Sequence, residues 1–213
     1  IFSFLIGHWI ILALILCWFI YMGGYIHNLQ NRVRDQRENL RDAHSRLEAI
    51  AVRDDLTGLY NRRHFLERLE EELSLANRNH TPLYLAIIDL DHFKRVNDNY
   101  GHHSGDEVLS RFARIASQGL RKSDLLARYG GEEFVVLFPH ATQAASEAAL
   151  ERLRSRFAEQ DYPFADDVIT TFSAGLTAFQ PGETANQLIK RADSALYEAK
   201  SRGRNQLVQL PLS

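Results

Sequence analysis

Two adjacent carboxylates, Glu132 and Glu133, follow a glycine pair in the stretch Arg128-Tyr129-Gly130-Gly131-Glu132-Glu133-Phe134-Val135-Val136-Leu137-Phe138. Two glycines between a short apolar run and a longer β-branched run read as a tight hairpin turn, with Gly130 and Gly131 both expected at positive φ. Such a bend is free of side chains, so acids beside it can face a ligand that comes close to the backbone. Adjacent acids that do not neutralise each other suggest a cation between them and an anionic substrate, which points to phosphate chemistry. A third acid stands elsewhere in the chain. Leu83-Tyr84-Leu85-Ala86-Ile87-Ile88 reads as a buried strand and ends in Asp89-Leu90-Asp91. A carboxylate at the end of a central strand is held rigidly and suits Mg²⁺, which takes few protein ligands and completes its octahedron on substrate phosphates.

The elements that must position these acids can be traced along the chain. The sequence has 213 residues, 45% of them hydrophobic, and a formal net charge of −2. That length allows one domain with a full core plus additional elements. The near-neutral balance offers no broad basic field for nucleic acid, so a nucleotide partner would have to be bound locally. Cys17 is the single cysteine, so no internal disulfide forms, and a reducing compartment suits the rest.

Residues 1–26 contain no Lys, Arg, Asp or Glu, and about 20 such residues cross a bilayer, which predicts a transmembrane helix. A signal peptide is the rival, but the run has no basic leader and is longer than the h-region of such a peptide. Arg32, Arg34 and Arg37 follow directly and place the remainder on the cytoplasmic side by the positive-inside rule. Ile26, Val33, Leu40 and Leu47 then recur every seven residues, with Leu29, Gln36, Ala43 and Ile50 between them. Residues 27–53 therefore read as a coiled-coil signalling helix that pairs two copies, or as a solvated amphipathic helix. Gly58 breaks the pattern and Asn61, a good N-cap, restarts a helix to about Asn79. Further helices are expected from Gly105 to about Leu120 and from Thr142 to about Gln160, with a strand over Ile169–Phe179. There is no internal repeat.

Three longer motifs carry a family resemblance. Asp54-Asp55-Leu56-Thr57-Gly58-Leu59-Tyr60-Asn61-Arg62-Arg63 opens the remainder of the chain, residues 54–213. From Asp89 the sequence runs on as His92-Phe93-Lys94-Arg95-Val96-Asn97-Asp98-Asn99-Tyr100-Gly101-His102-His103-Ser104-Gly105-Asp106-Glu107-Val108-Leu109. Ala192-Asp193-Ser194-Ala195-Leu196-Tyr197-Glu198-Ala199-Lys200-Ser201-Arg202-Gly203-Arg204-Asn205 closes it. Together with the Gly-Gly-Glu-Glu-Phe hairpin, these resemble the GGDEF domain of diguanylate cyclases over Asp54–Asn205. The coarse order of strand, helix, hairpin, helix and strand is that of an α+β fold, a ferredoxin-like βαββαβ palm similar to those of nucleotide cyclases and polymerases.

The resemblance implies a membrane-anchored diguanylate cyclase of a bacterial inner membrane. Acting as a homodimer, it would condense two GTP into cyclic di-GMP and two pyrophosphates. Asp89, the carbonyl of Leu90, Glu132 and Glu133 would hold two Mg²⁺ ions, with Mn²⁺ as a substitute. Glu133 would act either as metal ligand or in accepting the hydroxyl proton, and which of the two glutamates is the base stays open. Asn97 and Asp106 would read the guanine, because a carboxylate can accept from N1–H and N2–H₂ together, a pair adenine does not present. Phe93 and Lys94 would lie near the triphosphate loop. Lys200 and Arg204, expected one helical turn apart, would hold the triphosphate. Arg121 and Asp124 match an Arg-x-x-Asp site at which product binds and inhibits. Asp91 and Asp98 are either functional or structural, and His102 and His103 read as solvated or capping. The alternative function is a catalytically inactive cyclic di-GMP receptor, although none of the hairpin acids or guanine-reading residues is missing.

Overall fold

The computed structural model describes residues 52–164 and 170–210, together with Trp18, Met22, His27, Gln30, Arg32, Arg34 and Gln36, which are all helical. The chain divides into two compact units, residues 1–50 and 51–213. In the first unit, most of the apolar run and of the heptad positions lie outside the described residues. So do Val33 and Leu40; Gln36 is the one described heptad position. Among the described residues, no helix is long and apolar enough to cross a membrane.

The second unit is built from α1 (Arg62–Asn79), β1 (Leu83–Leu90), α2 (Phe93–Tyr100), α3 (His102–Gly119), β2 (Leu125–Arg128), β3 (Glu133–Pro139), α4 (Gln143–Ala158), β4 (Phe172–Ala178), α5 (Ala185–Ser201) and β5 (Leu207–Gln209). The sheet order is β2-β3-β1-β4-β5. β1 is antiparallel to both β3 and β4, β2 is antiparallel to β3, and β5 adds a parallel edge beside β4. The first four strands thus form the ferredoxin-like βαββαβ sheet expected from the sequence. The short helix α2 and the edge strand β5 are additions to it.

Strand β1 is central, and its alternation decides what lies on each face. Ala86, Ile88 and Leu90 pack with Val108, Phe112, Ala116 and Phe157 of α3 and α4, whereas Leu83, Leu85 and Ile87 pack with Phe65, Leu69, Leu188 and Leu196 of α1 and α5. On the first face the Phe112 ring lies 4.4 Å from that of Phe134 and meets those of Phe157 and Phe172 edge-on. Burying each such ring contributes roughly 1.5–3 kcal/mol. On the second face α5 lies almost in backbone contact with β4. A Cβ on Gly175 would stand 2.2 Å from the carbonyl oxygen of Ala192 and 2.2 Å from the nitrogen of Leu196. That absence of a side chain brings the C-terminal half of α5 down to the end of β1.

Local signals in the sequence account for several boundaries. Asn61 caps α1 by accepting from the His64 amide, at 3.0 Å, as its residue type predicts. Thr184 and Gln187 form a reciprocal capping box on α5. α3 begins at His102, three residues before the expected Gly105. Gly101, at φ 85°, ends α2 and begins α3 in one step, a conformation that side-chain-bearing residues rarely adopt.

Candidate active site

The end of β1 places Asp89 on the face covered by α1 and α5. The antiparallel register sets Asp89 opposite Glu133 of β3 and Ser173 of β4, and directly opposed residues point to the same side of a sheet. Glu132 belongs to the loop between β2 and β3, where its carbonyl accepts from the Leu90 amide at 3.3 Å. Asp89, Glu132 and Glu133 are therefore brought to one end of the sheet. The hairpin is confirmed, but its turn is wider than a two-residue bend: Tyr129 and Gly130 both donate to the Glu133 carbonyl, at 2.8 and 3.2 Å. Gly130 and Gly131 do not adopt the positive φ expected for them, because the longer loop spreads the reversal over four residues. Gly130 serves space instead, since a Cβ there would come within 2.6 Å of Glu133 Oε2, whereas a Cβ on Gly131 would meet nothing within 4 Å.

The electrostatics of this corner follow from burial. Asp89 is almost wholly buried; burial pushes its carboxyl above the ordinary range and the nearby Asp91 charge adds to this, while Lys200 and Arg204 oppose it. Glu132 is also raised, by burial first and then by the charges of Asp89 and Glu133, with Lys200 again opposing. Lys200 Nζ makes an ion pair with Asp89 Oδ2 at 2.8 Å. Acids whose mutual repulsion is relieved by a cation form a site for hard, oxygen-liganded metal, and here the Lys200 ammonium supplies one such positive charge. The donor set thus fits a divalent cation. Among the described residues, no three His, Cys, Asp or Glu side chains already surround a common point.

Arg204 stands differently from its expected position. α5 ends at Ser201, and Gly203 at φ 112° and Arg204 at φ 65° have left the helix, so Lys200 and Arg204 are not one helical turn apart. The loop is fixed from below by Asp91. Its carboxylate accepts from Thr171 Oγ1 at 2.7 Å, Ser173 Oγ at 2.7 Å and the Asn205 amide at 3.0 Å. Asp91 is therefore structural: it ties β1, β4 and the loop bearing Arg204 together. Asp98, His102 and His103 are exposed on the helix pair.

The α2–α3 pair builds a second part of the site directly after β1. Asn97 Oδ1 is buried and has no hydrogen-bond partner, and its side chain lies over Gly105, next to the Phe93 ring. Asp106 and Lys94 are exposed on the same pair of helices. An orphaned buried acceptor costs free energy unless a ligand or water satisfies it, so Asn97 Oδ1 can take a donor from outside the chain.

Arg121 and Asp124 sit apart from the acids, in the turn between α3 and β2. Asp124 Oδ2 accepts from the Arg121 amide at 2.8 Å, and the Asp124 amide donates to the Arg121 carbonyl at 3.0 Å. A cavity of about 20 Å³ separates this turn from α4, and Arg152 of α4 lines it. The sequence reading did not single out Arg152; its signal is the helical spacing of Ala145, Ala149 and Arg152, which presents small residues and then one cation to the turn. Arg128 was also missed as a linking residue. Its guanidinium holds both oxygens of Asp54, at 3.2 and 3.1 Å, and donates from Nη2 to the Gly131 carbonyl at 2.7 Å. One side chain thereby connects the turn at 54–58 to the glutamate-bearing loop.

Residues 51–206 match the family described as diguanylate cyclase, GGDEF domain. The chain belongs to the GGDEF family. It is 43% identical over 190 residues to the diguanylate cyclase DgcP of Pseudomonas aeruginosa, covering 87% of this chain and 28% of that protein. It is 40% identical to the response regulator PleD of Caulobacter vibrioides, covering 75% of this chain and 36% of that protein. The chain thus spans about a third of the length of the curated relatives it matches. Among solved structures it is similar to the GGDEF domain of DgcB from Caulobacter crescentus in complex with c-di-GMP, with a TM-score of 0.73, 34% identity, and coverage of 75% of this chain and 95% of that one. The active GGEEF domain of a diguanylate cyclase from Vibrio cholerae gives a TM-score of 0.67 at 32% identity, covering 72% and 98%. The GGDEF domain described here shares with the latter a glutamate in the third position of the hairpin motif, Glu132.

Proposed function

We propose that this GGDEF domain condenses two GTP molecules into cyclic di-GMP and two pyrophosphates, each chain presenting one GTP to its partner. The observation that carries the reading is the convergence of Asp89, Glu132 and Glu133 beside Lys200 at one end of the sheet. Asp89 and Glu132, with the Leu90 carbonyl, would hold the divalent cation, Mg²⁺ or Mn²⁺, and Glu133 would assist as ligand or as proton acceptor. A bound divalent ion neutralises triphosphate charge and stabilises in-line transfer. Lys200 and Arg204 bind the triphosphate, with Phe93 and Lys94 at the start of α2 beside it. Asn97 and Asp106 take the guanine edge, Asn97 through the Oδ1 that the chain leaves unpaired. The 3′-hydroxyl of one GTP attacks the α-phosphorus of the other, so neither half-site completes the reaction alone.

Arg121 and Asp124, with Arg152 across the small cavity, form the site at which product inhibits, guanidinium groups suiting phosphate and guanine and the carboxylate the guanine edge. Residues 1–26 anchor the chain in a bacterial inner membrane with the catalytic domain on the cytoplasmic side, and residues 27–53 pair two copies as a coiled coil. Both statements rest on the amino-acid pattern.

Chromatographic product analysis after incubation with GTP and Mg²⁺ tests the reading, with Glu133→Ala and Arg121→Ala run beside the natural chain. Cyclic di-GMP from the natural chain, none from Glu133→Ala and a less self-limited yield from Arg121→Ala support it. A folded, dimeric chain that binds cyclic di-GMP and makes none is a receptor instead.

A further inference from the structure

Lys200 engages a carboxylate here, although its proposed partner during turnover is a phosphate. We propose that in the nucleotide-free domain Lys200 is the internal counter-ion of Asp89, keeping divalent metal off this carboxylate until a triphosphate draws the ammonium away. The inference rests on the site reading given above and adds a second, positioning role to a residue assigned there only to substrate.

Three observations carry it. The ion pair is short, 2.8 Å, and the Asp89 side chain is only 9% exposed, so the carboxylate has little water to replace a lost partner. Asp89 lies among further acids, with Asp91 and Glu132 close enough for their charges to register on one another. A cation at that spot therefore stabilises the whole corner. Finally, the Lys200 side chain is one-third exposed, and a compact ammonium on a flexible four-carbon stem can leave one anion for another without backbone movement. A triphosphate offers several charged oxygens, a stronger partner for an ammonium than a single carboxylate. A divalent ion on the Asp89 carboxylate would stand within a few ångströms of the Lys200 ammonium held there, and like charges that close repel, so metal and Lys200 compete in the empty site. In the filled site the nucleotide removes the competitor. Metal and nucleotide then each favour the binding of the other, and the coupling is reciprocal.

Mn²⁺ titration of the nucleotide-free chain, followed by electron paramagnetic resonance of the free ion, tests this without turnover. The natural chain should bind Mn²⁺ weakly. Lys200→Gln should bind it at least about fivefold more tightly, since the removed charge lies in contact with the ligand oxygen in a part-buried site. Lys200→Arg, which keeps the charge, should restore weak binding, and Lys200→Gln should bind a non-hydrolysable GTP analogue less well. Unchanged or weaker Mn²⁺ binding by a folded Lys200→Gln chain overturns the proposal. Should that variant fail to fold, Lys200→Met carries the same test with the same two outcomes. Tightened Mn²⁺ binding by Lys200→Gln, with no cyclic di-GMP from the natural chain, leaves the counter-ion role standing and removes the cyclase reading. Product formation with unmoved Mn²⁺ affinity does the reverse.

Discussion

Replacing Gly105 by alanine separates nucleotide recognition from stability. A Cβ at this position would stand 2.0 Å from Asn97 Oδ1, 3.0 Å from Asn97 Cγ and 3.1 Å from Phe93 Cζ. A carbon and a carbonyl-type oxygen tolerate about 3.3 Å, so the Asn97 amide must move by more than about 1 Å. Overpacking of this kind costs about 1–3 kcal/mol. Within a helix, alanine is favoured over glycine by about 1 kcal/mol, which offsets part of that cost. The net loss of stability should then be about 0–2 kcal/mol, and the chain stays folded. Recognition has no such compensation. A displaced Asn97 loses a hydrogen bond to the base worth about 1–3 kcal/mol, which at about 1.4 kcal/mol per decade weakens GTP affinity roughly five- to a hundredfold. Calorimetric titration with a non-hydrolysable GTP analogue and Mg²⁺, beside a thermal melt, reads both quantities. A folded Gly105→Ala chain with unchanged nucleotide affinity would refute the placement of guanine against Asn97.

Arg128→Ala should lower stability by about 1–3 kcal/mol in urea titrations, because it strips two charge-assisted contacts from Asp54 and two from the Gly131 carbonyl; Arg128→Lys, lacking the planar fork, should recover only part of this. The Asp54 carboxyl predicts a pH effect. Burial alone would raise it, but hydrogen bonds from Thr57 and the charge of Arg128 outweigh burial and hold it below the ordinary value of 3.8. Its contribution is present above that value and is lost as pH falls through the lower, folded value. Asp54→Asn should therefore cost stability at neutral pH and flatten the acid limb of urea midpoints below about pH 4. Glu132 has the opposite sign: its carboxyl is raised above 4.5, so its favourable contribution lies at low pH and ionised Glu132 is a liability at neutral pH. Glu132→Gln should gain up to about 1 kcal/mol, a figure already discounted for solvent screening, while product formation is lost; a thermal melt checks the first half.

The parts of the site that were legible in the sequence are those whose chemistry is local. A carboxylate closing an apolar run gave Asp89 its place at the end of β1, and the Asn61 cap and the Gly-Gly hairpin announce themselves within a few residues. The sheet followed from the order of strands and helices. Contacts between distant segments left no such trace. Nothing in the spacing of Lys200 and Asp89 tells that α5 lies close enough to β4, over Gly175, for the two to meet. The link from Arg128 to Asp54 joins residues 74 apart in sequence, and each reads singly as a solvated charge. Arg204 was misplaced because helical periodicity was carried through Gly203, whose φ of 112° and the Asp91 anchor behind it end the helix first. The positive φ expected for Gly130 and Gly131 assumed a two-residue turn; the four-residue loop needs the left-handed freedom of neither, and only Gly130 lacks room for a side chain.

Each chain in this account holds half of an active site. Cyclic di-GMP formed from GTP and Mg²⁺, quantified by chromatography across a hundredfold range of protein concentration, tests that directly. The rate per chain should rise with concentration and then level off as paired half-sites saturate. No product, or a flat rate from a chain shown to be monomeric throughout, would contradict it.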